Sequence, residues 1–93
     1  MPELVLYVSQ EDIANGKLDD CFECAAARSA LRRFGPEYRV EVLTKYLWVY
    51  PVNETLPLLA FSAQEDAENF IRRFDRGEPM TPQFIHYVPY PLN

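Results

Sequence analysis

A chain of 93 residues, 48% apolar and 25% charged, has the size and composition of one soluble domain spanning residues 1–93. A domain of this length buries roughly 60–65% of its unfolded surface in a single core. The formal charge of −5, from 14 acidic and 9 basic side chains, speaks against broad nucleic-acid or anionic-membrane binding, which needs a positive field. No apolar run approaches the roughly 18 residues of a membrane span, and Met1-Pro2-Glu3 lacks the cationic start of a signal peptide. Two cysteines without a secretory signal point to reduced thiols in a cytoplasm.

Leu4-Val5-Leu6-Tyr7-Val8 is a continuous apolar run, which predicts a central strand covered on both faces. Ser9 follows as the cap of a single helical turn, with Asp12 at its third position and Ile13 docking it; Asn15-Gly16 then signals a turn. Asp20, with Glu23 three residues on, predicts the start of the first main helix. At 100° per residue Cys24, Ala27, Ala30, Leu31 and Phe34 gather on one side, with Arg28, Ser29, Arg32 and Arg33 on the other. Gly35-Pro36 ends the helix. Three consecutive alanines imply close approach to a sheet.

Tyr38 to Val42 alternates, predicting a strand with Tyr38, Val40 and Val42 inward. Tyr46 to Tyr50 is a second strand, with Leu47 and Val49 on one face and Tyr46, Trp48 and Tyr50 on the other. The link Leu43-Thr44-Lys45 is either a tight hairpin or a bulge, the hairpin being favoured. Leu56 to Phe61 reads as a short strand or an irregular lead-in. Ser62 and Glu65 predict a capping box for the second main helix, whose stripe is Ala63, Ala67, Phe70, Ile71 and Phe74. Glu68 and Arg72 form a helical ion pair, and Gly77 ends the helix. Phe84 to Val88 is a last strand before a Pro-rich tail, residues 89–93. The expected fold is α+β: a small mixed or antiparallel sheet of about four strands with two helices on one face.

Cys21-Phe22-Glu23-Cys24 at a helix N-terminus is the arrangement of a thiol–disulfide enzyme, because backbone N–H groups and the helix dipole lower a thiol pKa. Thr55-Leu56-Pro57 resembles the Thr-X-Pro segment facing the cysteines in the thioredoxin and glutaredoxin superfamily. The pattern departs from it in three ways. The motif lies about a dozen residues beyond the first strand, no helix separates the second strand from Thr55, and Asp19, Asp20 and Glu23 oppose thiolate formation. The alternative is packing, with Cys24 on the apolar face and Cys21 a partly exposed bystander. A metal site is not expected, since Cys21, Cys24 and His86 supply three of the four ligands zinc needs unless a dimer shares them. No cofactor motif is present.

Two surfaces remain. Arg28 and Arg32 could bind an anion, against the reading that the helix arginines pair with the surplus of carboxylates. Tyr46, Trp48 and Tyr50 are residues of the kind that anchor interfaces if no helix covers them. Two segments also carry a resemblance. Asp12-Ile13, Gly16 and Asp20-Cys21 ahead of an Ala-rich helix, and Phe70-Ile71-Arg72-Arg73-Phe74-Asp75-Arg76-Gly77 ahead of Pro82 and an aromatic strand, resemble small uncharacterised α+β proteins of bacteria and their phages. That resemblance implies a compact α+β domain, cytoplasmic (in the host if phage-encoded), and assigns no catalytic residue. The expected function is a non-enzymatic protein-interaction or regulatory module with a protein partner, homodimerisation being one use of its surface. The alternatives are a glutaredoxin-like thiol protein and an anion-binding module.

Overall fold

Eight elements follow in the order β1 (Leu4–Val8), α1 (Gln10–Asn15), α2 (Ala25–Phe34), β2 (Tyr38–Val42), β3 (Tyr46–Pro51), β4 (Leu59–Ala63), α3 (Glu65–Asp75) and β5 (Gln83–Pro89). They come from a computed structural model that describes residues 3–92. Met1 and Pro2, the start of the chain read above, and Asn93, the last residue of the Pro-rich tail, lie outside the described residues. The fold is α+β as expected, with five strands rather than about four and three helices rather than two. All four strand pairings are antiparallel, so the sheet is not mixed.

The strand order is β1-β5-β4-β3-β2, which makes β1 and β2 the two edges. In a flat sheet, four spacings of about 4.8 Å would hold those edges about 19 Å apart. A helix is only about 10 Å across, yet α2 touches both β1 and β2. The sheet curls into a half-barrel and α2 closes its open side. The sequence permits that approach because Ala25, Ala26, Ala27 and Ala30 are small and completely buried.

Alternation then sorts every strand. Leu4, Leu6 and Val8, Val40 and Val42, Leu47 and Val49, Phe61, and Ile85 and Tyr87 point to the concave side and form one cluster with Ala67, Phe70, Ile71 and Phe74 of α3. Their burial is the main stabilising term of the fold. The other side of each strand forms the convex face. Pro89 is tolerated in β5 because it stands opposite Phe61 at a position that does not hydrogen-bond to β4, while its neighbour Tyr90 donates to the Ala60 carbonyl at 2.9 Å.

Four expectations are corrected. β1 is an edge strand, with Val5 and Tyr7 exposed on the convex face, not a central strand covered on both sides. α2 begins at Ala25, because the Asp20 carboxylate caps its own turn by accepting from the Phe22 and Glu23 N–H groups at 3.0 and 2.9 Å, and Cys24 becomes the N-cap. Ser29 is buried among the alanines, its hydroxyl donating to the Ala26 carbonyl at 2.7 Å. Ser62 lies inside β4, and Gln64 precedes α3 without a side-chain cap. The hairpin between β2 and β3, the Ser9–Asp12 capping box and the Glu68–Arg72 pair at 2.9 Å are present.

Gly16 is required where α1 passes the start of α2. A Cβ there would come within 2.5 Å of the Ala25 nitrogen and 2.8 Å of the Asp12 carbonyl oxygen. The close approach brings Asp12 against Arg28 and Arg32.

Candidate functional site: the convex aromatic face

Tyr46, Trp48 and Tyr50 leave β3 on the side opposite Leu47 and Val49, and so on the convex face. Neither α2 nor α3 lies there, because the buried faces of both helices belong to the concave cluster. The register places Glu41, Trp48 and Ala60 in one row and Tyr46 and Ser62 in the next. The Tyr90 N–H donates to the Ala60 carbonyl, which extends the first row to Tyr90. Ala60 is buried although it faces outward, since large rings stand on both sides of it. Tyr46 meets Trp48 and Tyr90 edge-on, at centroid distances of 6.4 and 5.3 Å. The three rings form a preorganised aromatic patch, with Tyr46 between Trp48 and the more exposed Tyr90.

Polar groups frame it on the β2 side. The Tyr50 hydroxyl donates to Glu41 at 2.7 Å, and the Arg39 guanidinium stacks over the Tyr50 ring at 4.9 Å and over Phe22 at 5.6 Å. Arg39 also donates to the Glu54 carbonyl at 2.9 Å. Burial, and then the bond to Glu41, push the Tyr50 phenol above its ordinary range, so it stays a neutral donor.

The far end of the convex face carries a second apolar group that sequence reasoning missed: Val5 and Tyr7 of β1 and Phe84 of β5, exposed by 42%, 47% and 60%. The Tyr7 and Phe84 rings lie 5.0 Å apart. Its signal was the period-two pattern hidden inside the apolar run Leu4–Val8, where the large polar-tipped Tyr7 marks the outer face. His86 lies between the two groups. Its ring Nδ1 is 2.6 Å from Asp66 Oδ2, and its backbone N–H donates to Asp66 Oδ1 at 3.2 Å, tying the first turn of α3 to β5. The bond to Asp66 raises the imidazole pKa, with Glu3 adding to it.

The two thiols occupy different settings. Cys24 is buried, and its sulfur accepts from the Ala27 N–H at 3.4 Å as the cap of α2. Burial pushes its pKa up to about 11 despite the Ala27 and Ala26 N–H groups, and Asp75 and Asp20 add to the rise. Cys21 is partly exposed, and its thiol donates to Glu41 at 3.8 Å. Burial, and then the charge of Glu41, raise its pKa as well. Helix-terminus stabilisation of a thiolate is thus outweighed at both sulfurs. A cavity of about 160 Å³ adjoins them, lined by Asp19, Asp20 and Asp75, Val42 and Ile71; the Thr55–Pro57 segment does not line it. Among the described residues no group of three or more His, Cys, Asp or Glu side chains is placed to hold a metal ion.

Arg28 and Arg32 meet at one buried carboxylate. Arg32 binds Asp12 through both terminal nitrogens, at 2.8 and 2.7 Å, and also donates to the Tyr7 carbonyl at 3.1 Å. Arg28 Nε lies 3.8 Å from the same carboxylate, which is 1% exposed. Burial alone would raise the Asp12 pKa, but the bonds from Arg32 and from Ser9 hold it below the usual carboxylate range. These two cations neutralise an internal anion and latch α1 to α2 and β1.

No protein-family model, curated protein or solved structure matches this chain. The convex face therefore rests on its own chemistry: rings held in fixed positions, a neutral phenol donor and an arginine rim.

Proposed function

We propose that this chain is a non-enzymatic interaction module, an accessory or regulatory factor of bacterial or phage origin acting in the cytoplasm. It holds a protein partner on the convex face through Tyr46, Trp48 and Tyr50. The observation that carries this reading is the placement of α2 and α3 on the concave side, which leaves an aromatic sheet face without a helix over it. Ordered rings lose little side-chain entropy on binding, and a patch ringed by Arg39 and Glu41 combines an apolar centre with a polar rim. The partner surface is accordingly apolar at its centre, with a hydrogen-bond acceptor for the Tyr46 hydroxyl. A second copy of the chain is one such surface.

The thiol and anion readings draw less support. Both thiols are shifted away from the thiolate, and Arg32 is already committed to Asp12. The test is capture from lysate with the intact chain and with Trp48→Ala and Tyr46→Ala, each first checked for a native circular-dichroism spectrum. A protein retained by the wild type and lost from both folded variants is expected. Identical capture by all three removes the aromatic face from the function.

A further inference from the structure

The free edge of β1 offers a surface of another kind. β1 has a single strand neighbour, β5. His86, opposite Val5, donates its N–H to Asp66 and accepts the Gln64 N–H at its carbonyl, at 2.9 Å for the latter, both on the side away from β1. Val5 and His86 are therefore a non-hydrogen-bonded pair, and Val5 and Tyr7 direct their N–H and C=O groups out of the sheet. The Tyr7 carbonyl agrees, since it is reached from outside by Arg32. The Val5 N–H and C=O and the Tyr7 N–H meet no partner among the described residues.

A groove of about 360 Å³ runs beside this edge, lined by Val5 and Tyr7 of β1, Ser29, Arg32 and Arg33 of α2, and Phe84 of β5. An open strand edge facing a helix across a groove accepts one added strand, which gains main-chain hydrogen bonds from the edge and specificity from the walls. The two walls differ in chemistry. The convex wall is the exposed Val5, Tyr7 and Phe84 group. On the helix wall Arg32 is neutralised by Asp12, but Arg33 makes no ion pair among the described residues.

We propose that this groove binds an extended peptide segment of a partner protein, in which apolar and acidic residues alternate. Side chains of an added strand point alternately to the two sides. Those opposite Val5 and Tyr7 are apolar and cover the convex wall, and the one between them carries a carboxylate to Arg33 as a charge-assisted hydrogen bond. A second copy of this chain suits the groove less well. Pairing two β1 edges brings Arg33 of both α2 helices together, setting like charges face to face. This site is separate from the aromatic patch on β3, and the two stand or fall independently.

The test uses the full chain, isotope-labelled for NMR, and a short capped peptide alternating valine and glutamate, with its valine–lysine counterpart as control. The glutamate peptide is expected to shift the Val5 and Tyr7 amide signals and slow their hydrogen exchange, with affinity falling as salt rises. Arg33→Glu and Val5→Pro alter an exposed side chain and an outward N–H, so both keep the native spectrum; each should weaken binding roughly tenfold or more. Trp48→Ala should bind the peptide as the wild type does. The proposal is overturned by absent shifts at Val5 and Tyr7, by equal binding of the lysine peptide, or by undiminished affinity in Val5→Pro. A peptide-independent dimer that protects the same two amides would also overturn it, by assigning the edge to a second copy.

Discussion

The two faces of one curled sheet differ in what covers them. On the concave face, alternate residues of five strands are aliphatic or deeply buried aromatic, and α2 and α3 seal them from water. On the convex face the alternate positions carry Tyr46, Trp48 and Tyr50 at one end and Val5, Tyr7 and Phe84 at the other, all with some surface in water. Both faces carry large apolar groups, so apolar residues alone do not tell a sealed core from an open surface. The difference lies in exposure. The sealed face is filled mainly by aliphatics and by rings with almost no exposure, and the open face carries mainly large rings that keep part of their surface in water.

This contrast breaks first, and by most, at Phe70. Phe70→Ala removes a ring that is 1% exposed from the concave cluster, and should cost about 4 kcal/mol in denaturant unfolding. Trp48→Ala, on the half-exposed face, should cost about 1–2 kcal/mol. If the tryptophan change costs as much as the phenylalanine change, the convex face is a second core and not a surface.

Arg32→Ala probes the polar exception beneath the concave layer. It leaves the Asp12 carboxylate without its bidentate partner and should cost about 2 kcal/mol, the scale of hydrogen bonds to a charged group, moderated because Arg32 is 54% exposed. Asp12 has a depressed pKa in the folded protein, so its contribution is present above the unfolded carboxylate range and is lost as pH falls through the folded value. Acid unfolding of Arg32→Ala should accordingly begin at higher pH than in the wild type, as followed by tyrosine and tryptophan fluorescence.

Tyr87→Phe sharpens the comparison from within. The Tyr87 hydroxyl is buried and meets no partner among the described residues. Its removal should be neutral or stabilising by up to about 1 kcal/mol, against the loss expected from most changes at fully buried positions. The smallest effect belongs to His86 on the outer face. Its folded pKa lies above 6.5, so the stabilisation it draws from Asp66 is complete below that value and is lost as pH rises through the folded pKa. A slight fall in melting temperature over that interval, absent in Asp66→Asn, is the expected signature.

Much of this was legible in the sequence, and what was not has physical reasons. Alternation in Tyr38–Val42 puts Val40 and Val42 inward, and in Tyr46–Tyr50 it separates Leu47 and Val49 from the three rings, because a half-buried strand must repeat every two residues. It could not say which face the helices would cover in β3, where both sides are apolar. Leu56–Phe61 reads as either a strand or a lead-in, since it has no β-branched residue, and its second half enters β4. β4 is a strand because β3 and β5 supply partners on both sides. The start of α2 was placed four residues early because Asp20 is a strong capping residue that spends its carboxylate on a separate turn. Asp12 reads as the third-position partner of the Ser9 cap and is one, but its burial against Arg32, 20 positions away in the chain, exists only after the fold has formed. Of the candidate surface, Tyr46, Trp48 and Tyr50 were named from residue type, while Val5, Tyr7 and Phe84 come together only through the β1–β5 register.

The thiol that caps α2 has a use beyond packing. Cys24 is 3% exposed and its sulfur is held by the first turn of the helix, whereas Cys21 is reachable from solvent. An alkylating reagent will modify Cys21 at a rate lowered by its raised pKa, whereas Cys24 becomes reachable when that turn opens. In Cys21→Ser protein the modification rate of the remaining sulfur therefore counts the opening events of the segment that bridges both sheet edges. The chain carries its own clock for local opening at the start of α2.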